Sequence, residues 1–293
     1  MDLGILVYID NSAHMLEEFD WLYKSLVHCG ALANSGIIAV CHPDVANRLP
    51  EDANIEIISS VPYGERNAQW TGYGYINSVA NLAEPAVIEA CARFEYILKT
   101  DCDTFVTPAL QTFRPSGLCA GFGAYAYDQA VRARLTEVSA RWGYPHSGLH
   151  NVGASVFGPT GMVREFLSAQ TDACNRLVDE EFREFEGEWP GWCKQVVTMY
   201  AGELALRTTY PQACSLGLLD HFPNASRKLG SDVLHIHAWH TEDYWSKHRY
   251  RRGEYAHIAL DDIDPSTLGG YCHWLAATPL DEVKRRVNQH GQA

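Results

Sequence analysis

Phe94-Glu95-Tyr96-Ile97-Leu98-Lys99-Thr100-Asp101-Cys102-Asp103 decides how this chain is read. Its first seven residues make a mostly apolar run of strand length, and two carboxylates one residue apart stand where the run stops. Ligands in open α/β sheets gather at the carboxyl ends of strands, so Asp101 and Asp103 mark an expected site. At such a turn both carboxylates can face one space and hold a hard cation such as Mg²⁺ or Mn²⁺, with positions left for phosphate and water. Alone, the triplet equally fits an exposed acidic turn; its surroundings decide.

Upstream, Leu3–Ile9 is a short apolar run ending in Asp10-Asn11-Ser12, which reads as a buried strand followed by a helix start. Residues 17–29 carry Phe19, Leu22, Tyr23, Leu26 and Val27 at helical spacing, and 36–41 and 54–59 are β-branched runs. Helices are expected over 74–82 and 85–93. This order opens a doubly wound, mostly parallel sheet. Downstream, 118–127 is Gly- and Tyr-rich, 151–157 reads as a strand, 161–182 and 192–206 as helices and 233–237 as a strand. The predicted fold is α/β, Rossmann-like, one domain over 1–280 with a mixed, mostly parallel sheet flanked by helices. A tail is expected at 281–293. There is no internal repeat.

The 293 residues are 46% hydrophobic and 20% charged, enough apolar material for a sizeable core. A net charge of -13 repels polyanions, so nucleic acid is not an expected partner; only Lys247-His248-Arg249-Tyr250-Arg251-Arg252 forms a basic run. The first apolar run is too short to span a bilayer, and nine cysteines without C-x-x-C spacing read as reduced thiols. A cytoplasmic protein without a transmembrane segment is expected. Late in the chain, His235 and His237 lie at i and i+2 of the last predicted strand and share a face, where an imidazole added to two carboxylates suits Mn²⁺.

Residues 96–106 resemble the D-x-D strand of metal-dependent glycosyltransferases of the GT-A fold. Val233-Leu234-His235, with Lys247 further on, resembles the late metal-binding His and phosphate-binding Lys of the glycogenin-like branch. Tyr8-Ile9-Asp10-Asn11 is similar to the fold's first strand, and Asn151-Val152-Gly153 resembles the N-x-G segment lining the sugar and acceptor pocket. The late motif departs from the pattern: no Gly follows its His, and Lys247 is spaced differently. No subfamily follows from these matches.

The resemblance implies a nucleotide-sugar donor, UDP-linked as the commonest choice in this branch, and a glycan or other hydroxyl acceptor, with residues 1–110 as the nucleotide-binding half and 111–250 as the acceptor and metal-closing half. Mn²⁺ or Mg²⁺ would be held by Asp101, Asp103 and His235 or His237, with His235 favoured. Asp101 would also lie near the ribose, and the metal would neutralise the departing diphosphate. Tyr8, Asp10, Arg66 and Tyr73 are candidate nucleotide contacts because they follow the first and third strands. Lys247, Arg249 or Arg251 are candidates for the phosphates, and Asn151 and Gly153 for the sugar. An inverting reaction needs a base; Glu188 is the candidate, ahead of Asp128 and Asp220. Trp189 and Trp192 suit either a sugar platform or the core.

The main competing reading is a zinc hydrolase using His235, His237 and His240, since H-x-H-x-W-H is similar to a metallo-β-lactamase motif. Trp239 stands where such a site needs Asp. A dehalogenase-like phosphatase with Asp261-Asp262 as its late acidic pair is disfavoured by Phe105 after the D-x-D. A sugar-binding module would leave the D-x-D and the late histidines unexplained, and a nucleotidyltransferase would need a Gly-rich loop where Asp10-Asn11-Ser12-Ala13-His14 stands.

Overall fold

A computed structural model describes residues 1–145, 148–210, 214–238 and 245–290. The first half contains β1 (Leu3–Ile9), α1 (Ala13–His28), β2 (Ser35–Cys41), β3 (Ile55–Ser59), α2 (Tyr63–Arg66), α3 (Asn77–Ala80), α4 (Pro85–Cys91), β4 (Tyr96–Thr100) and β5 (Thr104–Val106). Next come β6 (Leu118–Phe122), α5 (Gln129–Arg141), β7 (Val152–Pro159), α6 (Thr160–Glu181) and α7 (Val197–Thr209). The chain closes with β8 (Cys214–Leu216), β9 (His235–His237), α8 (Lys247–Arg251), α9 (Leu268–Ala277) and α10 (Leu280–His290).

Two compact units are interleaved along the chain. The first comprises Met1–Asn11, Gly36–Asp101 and Arg114–Leu216, and holds a seven-stranded sheet in the order β3-β2-β1-β4-β7-β6-β8. β1 pairs with β4, β2 with β3 and β6 with β8 in parallel, whereas β7 runs antiparallel to both β4 and β6. Every residue of β1 and β2 is buried, as their unbroken apolar runs require of central strands. Leu6, Ile38, Val40, Ile97 and Val156 meet Val163, Phe166 and Leu167 of α6 in one core cluster. The other side of α6 packs with α5 and α7 through Cys174, Leu177, Val131, Leu135, Tyr200 and Leu204.

The second unit comprises Ser12–Ser35, Cys102–Phe113 and the chain from Gly217 onward. Its only named sheet among the described residues is the antiparallel pair β5–β9. Trp21, Phe105, Trp245 and Tyr250 form an aromatic core, with Trp21 stacked on Phe105 at 6.0 Å between ring centroids and Trp245 edge-on to Trp21 at 5.5 Å. Lys24 of α1, itself buried, donates to the carbonyls of Ala276 and Thr278 at 3.3 and 3.0 Å, where α9 leaves acceptors without helical donors.

The predicted sheet strands are present, most within two residues of their expected limits. The expected helix over 74–82 is broken into short pieces around α3. There Asn77 and Asn81 accept from the backbone N–H groups of Gly64 and Tyr63, fastening the segment to α2 instead of extending a helix. Helix α5, absent from the sequence reading, buries only the narrow stripe Val131, Leu135 and Val138 amid charged residues, too thin a pattern to read. β5, α8 and α9 likewise have no counterpart in that reading; β5 is three residues long, and α9 is buried on nearly all sides, without a polar face.

Among the described residues no helix is long and apolar enough to cross a membrane. Cys29, Cys41, Cys91, Cys102, Cys119, Cys174, Cys193 and Cys272 are buried free thiols. Phe105→Ala is expected to cost about 3–5 kcal/mol in urea unfolding, because it empties the centre of the aromatic core. Truncating exposed Tyr75 to Ala should move the midpoint by about 0.5 kcal/mol or less.

Candidate functional site

The β5–β9 ladder sets Thr104 opposite His237, Phe105 opposite Ile236 and Val106 opposite His235. Phe105 and Ile236 turn into the aromatic core, so the two histidines share the other face, as their i, i+2 spacing predicts. One residue before the ladder, the carbonyl of Asp103 accepts from Ala238 N–H at 2.9 Å, which ties the Asp103 backbone to the end of β9. The side chains then meet: His237 Nε2 lies 3.2 Å from Asp103 Oδ1, and His237 Nδ1 lies 3.3 Å from Asp220 Oδ1. His237 bridges two buried carboxylates.

A second cation reaches Asp103 from α8. Lys247 Nζ donates to Asp103 Oδ2 at 2.5 Å and stands 3.4 Å from Glu18 Oε1, while Arg251, one turn along the helix, donates to Glu18 at 2.6 Å. Arg251 also covers Trp21, at 5.5 Å from its ring centroid. Burial by itself would raise the Asp103 carboxyl, but His237 and Lys247 outweigh it and hold it well below the usual carboxylate range. Burial likewise opposes charge on His237, yet Asp103 and Asp220 hold its imidazole well above the ordinary value. Lys247 is raised in the same way, against burial, by Asp103 and Glu18. Glu18 is raised, chiefly by burial and then by the negative charge of Asp103.

Asp101, Asp103 and His237 each offer one ligand atom, all within 4.8 Å of one another. Asp101 is half-buried at the end of β4, with Lys99 Nζ 3.5 Å from its Oδ1. His235, favoured from the sequence, is not in this group. It is fully buried, Asp220 N–H donates to its Nδ1 at 3.1 Å, and the same nitrogen lies 3.2 Å from Asp220 Oδ1. The preference therefore passes to His237, the outer member of the pair. His240 and Trp239 lie outside the described residues.

The other candidates fall in several places. Asp10 follows β1 and is half-buried, its Oδ1 accepting from Asn11 N–H at 2.8 Å, and Gly74 runs close by, where an added Cβ would stand 3.9 Å from Asp10 Oδ2. Tyr8 is buried in the sheet core, which pushes its hydroxyl up. Arg66 pairs with Glu84 and donates from Nε to Val61 O at 2.9 Å. Tyr73 packs on Trp70 and donates to Gln195 O at 3.1 Å. Asn151, at φ 59°, directs its side-chain oxygen to Ala126 N–H at 2.6 Å, with Gly153 half-buried two residues on. Glu188 is exposed in a turn closed by Gly191 N–H to Glu188 O at 2.9 Å, Trp189 beside it is exposed, and Trp192 stacks on Tyr200 at 4.2 Å. Asp128 caps α5. Arg249 pairs with Glu254. Glu18 was missed; its signal was a carboxylate on the apolar stripe of α1, three residues before Trp21 and four before Leu22.

A family model described as "Domain of unknown function (DUF7164)" matches residues 1–269. No curated protein matches the chain. Among solved structures, it is similar to the galactosyltransferase LgtC in complex with donor and acceptor sugar analogs, at 12% identity and a TM-score of 0.53, over 97% of this chain and 99% of that one. It is also similar to an active-site mutant of LgtC, at 13% identity and a TM-score of 0.51, over 87% and 96% of the two chains. The fold is GT-A, α/β with a mixed, mostly parallel sheet flanked by helices.

Removing one member of a buried ion pair strands the other, so Asp103→Leu is expected to cost about 3–5 kcal/mol in urea unfolding. Adding Lys247→Met to it should recover part of that loss, and a simple sum of the two single changes would contradict the pairing. The pH dependence follows from the raised value of His237. Its contribution is complete below the unfolded value, about 6.5, and is lost as pH rises through the folded value. With EDTA present, the stability of the wild type over His237→Gln should therefore shrink from neutral to alkaline pH. A constant difference across that range would contradict it.

Proposed function

The chain belongs to the DUF7164 family, and we propose that it is a metal-assisted glycosyltransferase, moving a sugar from a UDP-linked donor to a hydroxyl acceptor. The observation that carries this reading is the convergence of Asp101, Asp103 and His237, where the Asp-bearing turn follows a central strand of a GT-A sheet. LgtC, a galactosyltransferase bound to donor and acceptor sugar analogs, supports the two-substrate form of the reaction.

The donor set fits a divalent cation. Two carboxylate oxygens and one imidazole nitrogen suit Mn²⁺ better than Mg²⁺, which favours oxygen throughout. At metal–ligand distances of about 2.2 Å, two ligands of one ion stand at most about 4.4 Å apart. Adjacent ligands stand about 3.1 Å apart, so a group spanning up to 4.8 Å draws in by up to about 1.7 Å on binding. When bound, the ion supplies Lewis-acid neutralisation of the diphosphate as it departs.

The chain's own residues do the rest. Lys247 is held by Asp103 and Glu18 at the rim of the group, where its ammonium offers positive charge to phosphate oxygens. Asp10 and the backbone at Gly74 form a polar edge at the end of β1, suited to ribose and base hydroxyl or N–H groups. The segment 151–153, bent at Asn151, lies at the same edge of the sheet, which suits it to the transferred sugar.

A thermal-shift panel of UDP, GDP, ADP and CDP, with and without Mn²⁺, tests the reading. UDP with Mn²⁺ at a hundred times its dissociation constant should stabilise the protein by about 2.7 kcal/mol. EDTA, Asp101→Ala and His237→Ala should each abolish the response. No metal-dependent nucleotide response from any of the four would sink the proposal, and tight Zn²⁺ binding without nucleotide affinity would favour the hydrolase instead.

A further inference from the structure

The first unit buries a second set of charges, away from the Asp103 group. Glu203 and Arg207 lie four residues apart on α7, and both side chains are fully buried. Three groups converge on the Glu203 carboxylate. Tyr125 Oη donates to Oε2 at 2.8 Å, Arg207 Nη2 to Oε1 at 2.7 Å, and His150 Nδ1 lies 2.9 Å from Oε1. Burying a carboxylate costs several kcal/mol before its contacts are counted, so an apolar helix carries Glu203 only where those contacts are good. Every connection here is local to one corner of the sheet. Tyr125 Oη also accepts from Val152 N–H at 2.8 Å, and Gly123 N–H donates to Asn151 O at 2.6 Å.

The set has one member that reaches the surface. His150 is half-buried and lines a shallow, open cleft of about 710 Å³ along α5, together with Gln129, Arg132, Ala133, Thr136, Glu137 and Ala140. Exposed Tyr127 stands just before that helix, and half-exposed Phe122 is paired with Val152. The cleft combines amide, hydroxyl, guanidinium and carboxylate groups with the methyl groups of Ala133 and Ala140, a lining that suits a carbohydrate. It also lies at the expected edge. β7 runs antiparallel to β4 with Lys99 opposite Val156, which sets Asp101 level with Ala154. His150 is four residues further along, beyond the bend at Asn151, and so at most about 13 Å away at about 3.3 Å per residue.

Arg207 Nη2 stands 3.5 Å from His150 Nδ1 but directs its two hydrogens to Glu203 Oε1 and Leu149 O, and an ionised carboxylate only accepts, so His150 donates to Glu203 through Nδ1 and the neutral ring carries its lone pair on Nε2. A carboxylate behind an imidazole, fixing tautomer and orientation, is the arrangement of a general base. We propose that His150 takes the proton of a carbohydrate acceptor seated in the cleft along α5, and that Glu203 is its positioning residue. The assignment rests on the glycosyltransferase reading and supplies its acceptor side. The acceptor oxygen forms a bond to the anomeric carbon while the bond from that carbon to the diphosphate oxygen breaks. The bonding pair leaves with the diphosphate, the acceptor proton goes to His150 Nε2, and the anomeric centre inverts. Glu188, exposed in its turn, lacks a comparable setting.

The test uses the full chain with Mn²⁺, following UDP release from UDP-glucose and UDP-galactose in the presence of lactose or maltose. His150→Gln should lower the rate about 10²–10⁴-fold while the UDP and Mn²⁺ thermal shift stays at the wild-type value. The acid limb of the wild-type pH–rate profile should vanish in His150→Gln and be displaced in Glu203→Gln. ¹⁵N-histidine NMR, which needs no substrate, should find the proton of neutral His150 on Nδ1. A proton on Nε2, or wild-type turnover in His150→Gln with a normal thermal shift, overturns the assignment alone. Absence of the thermal shift in the wild type removes the transferase reading and this assignment together.

Discussion

Asp103 is a carboxylate with almost no water around it, and its charge is tolerable only because His237 and Lys247 approach it from different elements. Each contact constrains the backbone behind it. His237 is in reach because β9 pairs with β5 in a register that sets it opposite Thr104, and Lys247 because Ser246 caps α8 with its hydroxyl. Glu18 and Arg251 extend the alternation of charge onto α1. A low-dielectric setting makes such a chain of charges all-or-none: fully paired it rigidifies the second unit, and with one member removed it strands a neighbour.

The same constraint explains why the second unit needs so little sheet. A two-residue error in the β5–β9 register would keep the core alternation but take His237 away from Asp103. The stack of Trp21 on Phe105, with Trp245 edge-on, adds shape to alternation and favours one register. Charge pairing and aromatic packing thus select the same geometry, and the carboxylates of the D-x-D turn are aimed as a result.

In the first unit Glu203 plays a corresponding part on a different scaffold. Its carboxylate gathers Tyr125 from the stretch after β6, His150 from the approach to β7 and Arg207 from its own helix. Asn151 accepts the left-handed conformation at this point, with its side chain fastened to Ala126 N–H. A non-glycine residue held there costs about 1–3 kcal/mol and persists only where surrounding contacts over-determine it. Both units therefore concentrate buried polar contacts at residues that follow or precede sheet strands, the zones where α/β folds bind ligands.

By itself, the sequence determined the sheet and the position of the acidic turn. Leu3–Ile9 is an unbroken apolar run and 94–100 a mostly apolar one, patterns set by local composition, and the carboxylates directly follow the second. It also placed His235 and His237 on one face, since strand periodicity is local. Which histidine meets Asp103 depended on the pairing of two three-residue strands more than a hundred residues apart, and only the tertiary structure decided it for His237. Tyr8, Arg66 and Tyr73 followed from strand order, but burial, Glu84 and Gln195 engage them in ways that order does not encode. Glu18 and the set around Glu203 were not singled out for the same reason: a carboxylate on an apolar helix face is visible in sequence, whereas the cations that make it tolerable are brought there by the fold.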